Sequence, residues 1–151
     1  MSFLSTMDIS TSALTAQRFR MDILSQNIAN VDTTRTPEGG PYTRKLTVFQ
    51  ERGLNIDRGH TSFKTALERE AYKVAGGGVR VSAVIEDDSE FIPVYDPAHP
   101  DADEDGYVLM PNVDRAEETV DLMAATHSYN ANITTLNIIK TMAMKAAELT
   151  K

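Results

Sequence analysis

The chain has 151 residues, 41% of them apolar and 7% aromatic, and this length suits one domain with a modest core. It contains no Cys, which excludes disulfides and thiolate metal sites. The net charge of −7 is concentrated in residues 86–105, where nine acidic residues occur without a Lys or Arg. A nucleic-acid-binding protein would instead show a basic stripe, so no nucleic acid is expected as a partner.

No stretch approaches the roughly 20 apolar residues that a membrane-spanning helix needs. The N-terminus also lacks a basic segment followed by an apolar one, the pattern of a cleaved secretory signal. By these rules alone the expected protein is soluble and cytoplasmic, with no membrane span.

The first predicted element is a helix over residues 14–30, whose start is left open because several residues can act as N-caps: Ser5, Thr6, Asp8 and Ser10. One apolar face comprises Ile9, Ala13, Ala16 and Ile23, and Asn27 and Asn30 continue the same line. A neighbouring face carries Leu14, Met21, Leu24 and Ile28. Together these faces are wider than a two-helix seam requires, so one helix of the same chain cannot cover both.

Asn27 and Asn30 have two interpretations. Asn is well tolerated at a fraying helix C-terminus. Alternatively, the two amides hydrogen-bond a neighbouring backbone and fix the register, as a buried Asn does in a coiled coil.

The sequence of the middle part of the chain predicts strands and loops. Thr36 to Pro41 form an irregular connector, and Gly76 to Gly78 form a hinge or tight turn. The predicted elements are a β-rich segment at residues 42–50, a short helix at 64–73, a strand at 79–85, a short apolar run at 91–94 and a strand at 107–110. In the strand at 79–85, the residues on one face alternate as Val79, Val81, Ala83 and Ile85.

A second long helix is predicted from Asp114, a candidate N-cap with Glu117 three residues later, to Leu149. This segment contains no Pro or Gly, and about 35 residues would make a helix about 52 Å long. Its apolar stripe comprises Leu122, Ala125, Tyr129, Ile133, Leu136, Ile139, Ala143 and Ala146. Four further apolar residues lie off the stripe: Met123, Ile138, Met142 and Met144. A small insert cannot cover such a helix, so much of it should meet another helix.

The expected fold class is therefore α+β, in which long terminal helices pair in a coiled-coil-like helical domain. The predicted boundaries are 1–34 for the first helix, 35–112 for a strand-rich middle domain containing the acidic loop 86–105, and 113–151 for the second helix.

The acidic loop contains Asp101, Asp103, Asp105 and Gly106 at the spacing that opens an EF-hand calcium loop. The twelfth position is Asn112 rather than a bidentate Glu, so a solvated turn is the favoured interpretation. A soluble calcium-binding adaptor is the alternative function. No nucleophile, acid–base pair or cofactor motif is recognisable, so neither an enzyme nor a cofactor is expected.

Residues 16–34, AQRFRMDILSQNIANVDTT, resemble the N-terminal signature of bacterial flagellar rod and hook proteins. The segments TPEGGPYTRK at 36–45 and YDPAHPDADEDGYVLMPNVD at 95–114 resemble the proximal-rod members of this family. SYNANITTLN at 128–137 is similar to the family's C-terminal helix signature. These matches cover about two-thirds of the chain.

The resemblance implies a structural subunit of the basal-body rod, a drive shaft that crosses the periplasm and transmits torque. It implies export through the flagellar type III apparatus without a cleaved signal, and replaces the cytoplasmic expectation. The implied neighbours are copies of the chain itself, the rod proteins FlgB, FlgF and FlgG, and the FliE adaptor. The expected subunit-interface residues are Leu14, Phe19, Ile23, Asn27, Ile28, Asn30, Leu122, Tyr129, Asn130, Ile133, Leu136 and Asn137.

Overall fold

The computed structural model describes residues 3–52 and 77–149. Within these described residues, two long helices enclose four strands along the chain, which confirms the predicted α+β class. The elements are α1 (Phe3–Ala29), β1 (Lys45–Glu51), β2 (Val79–Glu86), β3 (Ile92–Tyr95), β4 (Tyr107–Met110) and α2 (Arg115–Glu148). The short helix predicted at 64–73 lies outside the described residues.

Helix α1 begins at Phe3, so the four candidate N-caps lie inside the helix and that prediction was wrong. No Pro or Gly interrupts residues 3–29, and nothing in the sequence therefore ends the helix early. Hydroxyl side chains in this segment bond back to their own helix; for example, Thr11 Oγ1 donates to the Met7 carbonyl at 2.8 Å. At the other end, the Asn30 N–H is shared between the Gln26 and Asn27 carbonyls, both at 3.1 Å.

Helix α2 has 34 residues and is about 51 Å long. The predicted N-cap is confirmed, because the Asp114 carboxylate accepts the N–H of Ala116 at 2.7 Å and of Glu117 at 3.4 Å. The Glu117 carboxylate itself lies 3.3 Å from the Arg44 guanidinium. Neither helix, over its described residues, contains an apolar stretch long enough to cross a bilayer.

Strands β1 and β2 form one two-stranded sheet, and β3 and β4 form another. The strand predicted at 79–85 is confirmed, but only Val79 and Val81 on its apolar face are half-buried. The apolar run at 91–94 proves to be a strand shifted by one residue, β3, which pairs antiparallel with β4.

The chain divides into two compact units. One comprises Phe19–Val48 and Ala83–Thr126, and the other takes in the remaining described residues. The first unit buries Leu24, Tyr42, Val108, Val113 and Ala125, and the second buries Ala16 and Ile139. The domain boundaries expected from the sequence remain a prediction.

Gly78 marks a close approach between the start of β2 and helix α1. The Ser12 hydroxyl accepts the Val79 N–H at 3.1 Å, and Gly78 has a φ of 87°. A Cβ placed on Gly78 would lie 2.2 Å from Ser12 Oγ and 3.1 Å from Ser12 Cβ. The glycine is required both for its positive φ and for the space that a side chain would fill.

We expect Gly78→Ala to destabilise the chain more than Gly40→Ala does, by about 1–3 kcal/mol from overpacking. Gly40 is a matched control because its φ is also positive, at 80°, but a Cβ there meets no atom within 4 Å. Urea denaturation of the two variants gives the comparison. Equal losses of unfolding free energy would mean that the contact with Ser12 has no role.

Candidate functional site: a buried polar junction and an exposed helix face

The Asn27 side chain joins three elements inside one compact unit. Its amide nitrogen donates to the Lys45 carbonyl and to Glu118 Oε2, both at 2.9 Å. Its amide oxygen accepts the Lys45 N–H at 3.1 Å and the Tyr42 hydroxyl at 2.9 Å. Asn27 is 0% exposed, and these four bonds use its full capacity of two donors and two acceptor lone pairs. Helix α1 is thereby tied to β1 and to the first turn of α2.

Glu118 is also 0% exposed and lies between Asn27 and Arg44. The Arg44 Nε donates to Glu118 Oε1 at 2.6 Å, and the same guanidinium lies 3.7 Å from Asp87. A buried carboxylate with both oxygens bonded meets the condition under which a buried charge is tolerated. Burial by itself lowers the pKa of Arg44, but the hydrogen bond and charge of Glu118, aided by Glu117, raise it above its ordinary value.

Asn112 extends the junction toward the second sheet. Its Oδ1 accepts the Arg44 N–H at 2.8 Å, while its amide nitrogen donates to the Asp87 carbonyl at 2.9 Å and to the Ser89 carbonyl at 3.2 Å. Hydrogen bonds from Ser89 lower the pKa of Asp87, and the largest effect comes from the backbone N–H of Ser89. The Arg44 charge acts in the same direction. We refer to Asn27, Tyr42, Arg44, Asn112 and Glu118 as the polar junction.

Two ion pairs lie near this junction, one between the two helices and one between α2 and the segment that follows α1. Arg20 donates to Asp121 at 2.8 Å, and Arg115 donates to Asp32 at 2.9 Å. Both pairs are partly or largely exposed, so each contributes at most about 1 kcal/mol. The Thr126 hydroxyl lies 3.5 Å from the Met21 sulfur, and all three contacts fit antiparallel helices in this unit.

The acidic loop uses its carboxylates for structure. Asp101 accepts the Thr34 hydroxyl at 2.9 Å and lies 3.6 Å from Arg35. Asp103 Oδ1 accepts the N–H groups of Asp105 and Tyr107, at 3.0 and 2.8 Å. Across residues 3–52 and 77–149, no cluster of three or more His, Asp or Glu side chains is placed to hold a metal ion. Nothing in this geometry favours the calcium-binding alternative.

The two asparagines of α1 have different roles, and each fits one of the two interpretations left open by the sequence. Asn27 hydrogen-bonds a neighbouring backbone, that of Lys45 in the same chain. The Asn30 amide instead donates to the Gln26 carbonyl of its own helix at 2.8 Å, as expected at a helix C-terminus.

The other residues predicted at a subunit interface differ in exposure. Phe19, Asn130, Ile133 and Asn137 are exposed, whereas Leu14, Ile23, Ile28, Asn30, Leu122, Tyr129 and Leu136 are half-buried. Their contact with another subunit stays a prediction. Along α2, a second set of apolar side chains is more than half exposed and comprises Val120, Met123, Ile138, Met142 and Met144. Val120, Met123, Ile138 and Met142 lie on one side of the helix, whereas Met144, two residues after Met142, lies on another. We call the first four the uncovered face of α2.

Sequence reasoning missed four members of the polar junction. Glu118 precedes Leu122 of the apolar stripe by four residues, so its position on the buried face could have been predicted from the sequence. Tyr42, Arg44 and Asn112 follow no periodicity, and only the folded chain shows that they meet.

We expect Asn27→Ala to lower the unfolding free energy by about 2–4 kcal/mol, because Lys45, Tyr42 and Glu118 lose a buried partner. Asn30→Ala is the matched control from the same helix end and should cost less than about 1 kcal/mol. Chemical denaturation of the purified chain measures both changes. Similar losses in the two variants would contradict the importance of the junction.

Burial, together with the charges of Glu118 and Glu86, raises the pKa of Tyr42. The protonated phenol is thus favoured in the folded state. Its contribution to stability is present below the unfolded value of about 10 and is lost as pH rises through the higher folded pKa. Tyrosinate absorbance should show a late step of ionisation, and Tyr42→Phe should remove that step. An unchanged titration in the variant would refute the assignment.

Two family models match the chain. The model described as flagella basal body rod protein matches residues 7–35, and the model described as flagellar basal body rod FlgEFG protein C-terminal matches residues 104–149. Both models therefore fall mainly on the terminal helices.

Individual relatives match over nearly the whole length. The chain is 47% identical over 152 aligned residues to the flagellar basal-body rod protein FlgC of Bacillus subtilis, covering 97% of each chain. It is 41% identical to FlgC of Borreliella burgdorferi, covering 97% of this chain and 96% of the relative. FlgC of Escherichia coli O6:H1 is also 41% identical, with 99% and 98% covered. The chain therefore belongs to the FlgC family of flagellar basal-body rod proteins.

Proposed function

We propose that this chain is a structural subunit of the proximal flagellar rod, where it assembles helically through its terminal helices and transmits torque. The observation that carries the assembly mechanism is the uncovered face of α2. Its four large apolar side chains remain more than half exposed in the folded chain.

Burying these side chains favours association. Full burial of a large aliphatic or Met side chain stabilises by about 1.5–3 kcal/mol, so this face supplies a substantial driving force. Extended exposed apolar surface is a feature of proteins that bind partners. The polar junction occupies only the beginning of α2, whereas Ile138 and Met142 of the uncovered face lie in its C-terminal half.

An open array needs contacts that do not close on themselves. A head-to-tail interface, in which two different surfaces meet, generates a filament when its rotation does not close a ring. The two apolar faces predicted on α1 and the two on α2 provide different surfaces for successive neighbours. Of the predicted interface residues, Phe19, Ile133 and Leu136 are suited to this role. Asn27 is not included, because its side chain is fully buried within its own chain.

The proposed neighbours are further copies of the chain, the rod proteins FlgB, FlgF and FlgG, and the FliE adaptor. We place the subunit in the periplasmic part of the basal body, after export by the flagellar type III apparatus without cleavage. The absence of Cys suits both export as an unfolded chain and an oxidising compartment, and this composition supports the route.

We expect Ile23→Asp and Leu136→Asp each to abolish incorporation into the rod, because a charge on an apolar helix face must be desolvated when subunits pack. Thr15→Asp is a matched control on α1, because Thr15 is exposed and lies on the polar line of the helix that already carries Asp8 and Asp22. Mass spectrometry of purified basal bodies measures incorporation, and size-exclusion chromatography checks that the monomers remain soluble.

In the unmodified strain, the same basal bodies should contain the chain in a fixed ratio to the other rod subunits, with its N-terminal peptide intact. Normal motility and normal rod content in both Asp variants would overturn the assembly mechanism. Absence of the chain from basal bodies would overturn the proposed function itself.

A further inference from the structure

The β3–β4 hairpin presents an apolar face to solvent. Residues that are directly opposite in an antiparallel pair lie on the same face, so the pairs Pro93–Leu109 and Tyr95–Tyr107 share one side. All four side chains are exposed, and Tyr95 is 65% exposed. We call these four residues the hairpin face.

The hairpin face contains two packed aromatic rings and has an acidic border. The Tyr95 and Tyr107 rings pack edge to face with centroids 5.3 Å apart. Gly106 is buried beneath them, and a Cβ there would lie 3.0 Å from Tyr95 Cε2. The turn that joins the strands carries exposed Glu104 and Asp105 within the run 86–105 that has no Lys or Arg. A partner for this surface needs an apolar centre and at least one positive charge at its edge.

The C-terminal half of α2 has this complementary character. A shallow groove of about 350 Å³ lies along one side of the helix and includes Ile138, Met142 and Lys145 among its lining residues. These three residues follow the i, i+4, i+7 spacing of a single helix face. Residues 122–147 contain no Asp or Glu, and Glu148, three residues after Lys145 at the end of the helix, is the nearest acidic residue of α2.

We propose that the hairpin face of one copy binds the Ile138–Met142–Lys145 face of α2 in a second copy. Met142 would contact the tyrosine rings, which form favourable contacts with thioether sulfur, and Lys145 would lie against Glu104 and Asp105 or over a tyrosine ring. Two acidic hairpin faces would repel each other, and two Lys145 faces would bring like charges together. Charge complementarity therefore selects the unlike pair of surfaces.

This contact is head-to-tail and does not close on itself, as an open array requires. It involves only four residues of the hairpin and a few turns of helix, whereas stable interfaces bury about 1,200–2,000 Å² in total. The contact is therefore weak between two free monomers and is strengthened when neighbours in an array hold both surfaces in place. To this extent the inference rests on the proposed function, but it names surfaces that the function alone does not specify.

Cysteine mapping tests the contact directly, since the chain has no native Cys. One copy carries only Leu109→Cys and the other only Met142→Cys, so that a short bismaleimide can join them only between molecules. The two variants are expressed together and basal bodies are treated with the reagent. Lys140→Cys replaces Met142→Cys as a control, because residue 140 lies on the opposite side of α2. We expect the Leu109–Met142 product to exceed the Leu109–Lys140 product at least about tenfold, the size of a 1.4 kcal/mol preference.

Charge reversal tests the same contact without an added thiol, in otherwise Cys-free chains assayed by incorporation and motility. Lys145→Glu should reduce incorporation, as should Glu104→Lys combined with Asp105→Lys, and all three changes together should restore part of it. Asp103 is retained in these variants because its carboxylate holds the turn. Lys140→Glu makes the same charge change away from the contact and should reduce incorporation less than Lys145→Glu does, without being rescued by Glu104→Lys combined with Asp105→Lys.

The outcomes separate this inference from the proposed function. If the chain is present in basal bodies but Leu109 crosslinks to a different protein, to Leu109 of another copy, or to nothing, the inference is wrong and the rod assignment stands. If the chain is absent from basal bodies but the Leu109–Met142 product forms in a concentrated solution of the purified chain, the contact stands and the rod assignment fails. Failure of the triple charge variant to recover any incorporation would contradict the pairing of Lys145 with the acidic turn.

Discussion

The four hydrogen bonds of the Asn27 amide are the constraint on which this part of the structure depends. A neutral amide both donates and accepts, so one side chain can satisfy a strand N–H, a strand carbonyl, a phenol and a carboxylate at once. An Asp at this position could not donate to Glu118 when ionised, and a Leu would leave several buried polar groups unpaired. Because Glu118 in turn binds Arg44, the position of α2 on α1 is coupled to the start of β1.

The contacts that fix the fold and those proposed for assembly are chemically different. The interior joining α1, β1 and α2 is polar, and few large apolar side chains are buried among the described residues. Many of the larger ones remain on the surface, on α2 and on the β3–β4 hairpin. A directional polar junction can define one arrangement of the elements in a single chain without consuming apolar area. That area remains available for neighbouring copies.

The sequence predicted those features that follow from continuous patterns. Helix α2 was predicted almost to the residue, because Asp114 caps it and no Pro or Gly interrupts it, and β4 was predicted with its observed bounds. The start of α1 was missed because Ser, Thr and Asp act as N-caps only where a helix begins. Inside a helix, their side chains can instead bond back to its own carbonyls. The different roles of Asn27 and Asn30 could not be derived, since both carry the same amide and only the tertiary fold brings Lys45 and Glu118 to one of them.

The polar junction also determines how force would pass through a rod subunit. Exposed ion pairs such as Arg115–Asp32 are screened by salt and hold two long side chains only loosely. A wholly or partly buried path of hydrogen bonds instead runs from Asn27 through Glu118 and Arg44 to Asn112, two residues after the end of β4 at Met110. In the proposed assembly, a load applied to the hairpin face therefore reaches both helices through short hydrogen bonds that are less exposed to water than these ion pairs. A structural subunit needs this property more than a large core, because torque is transmitted only if the outer surface cannot move independently of the helices.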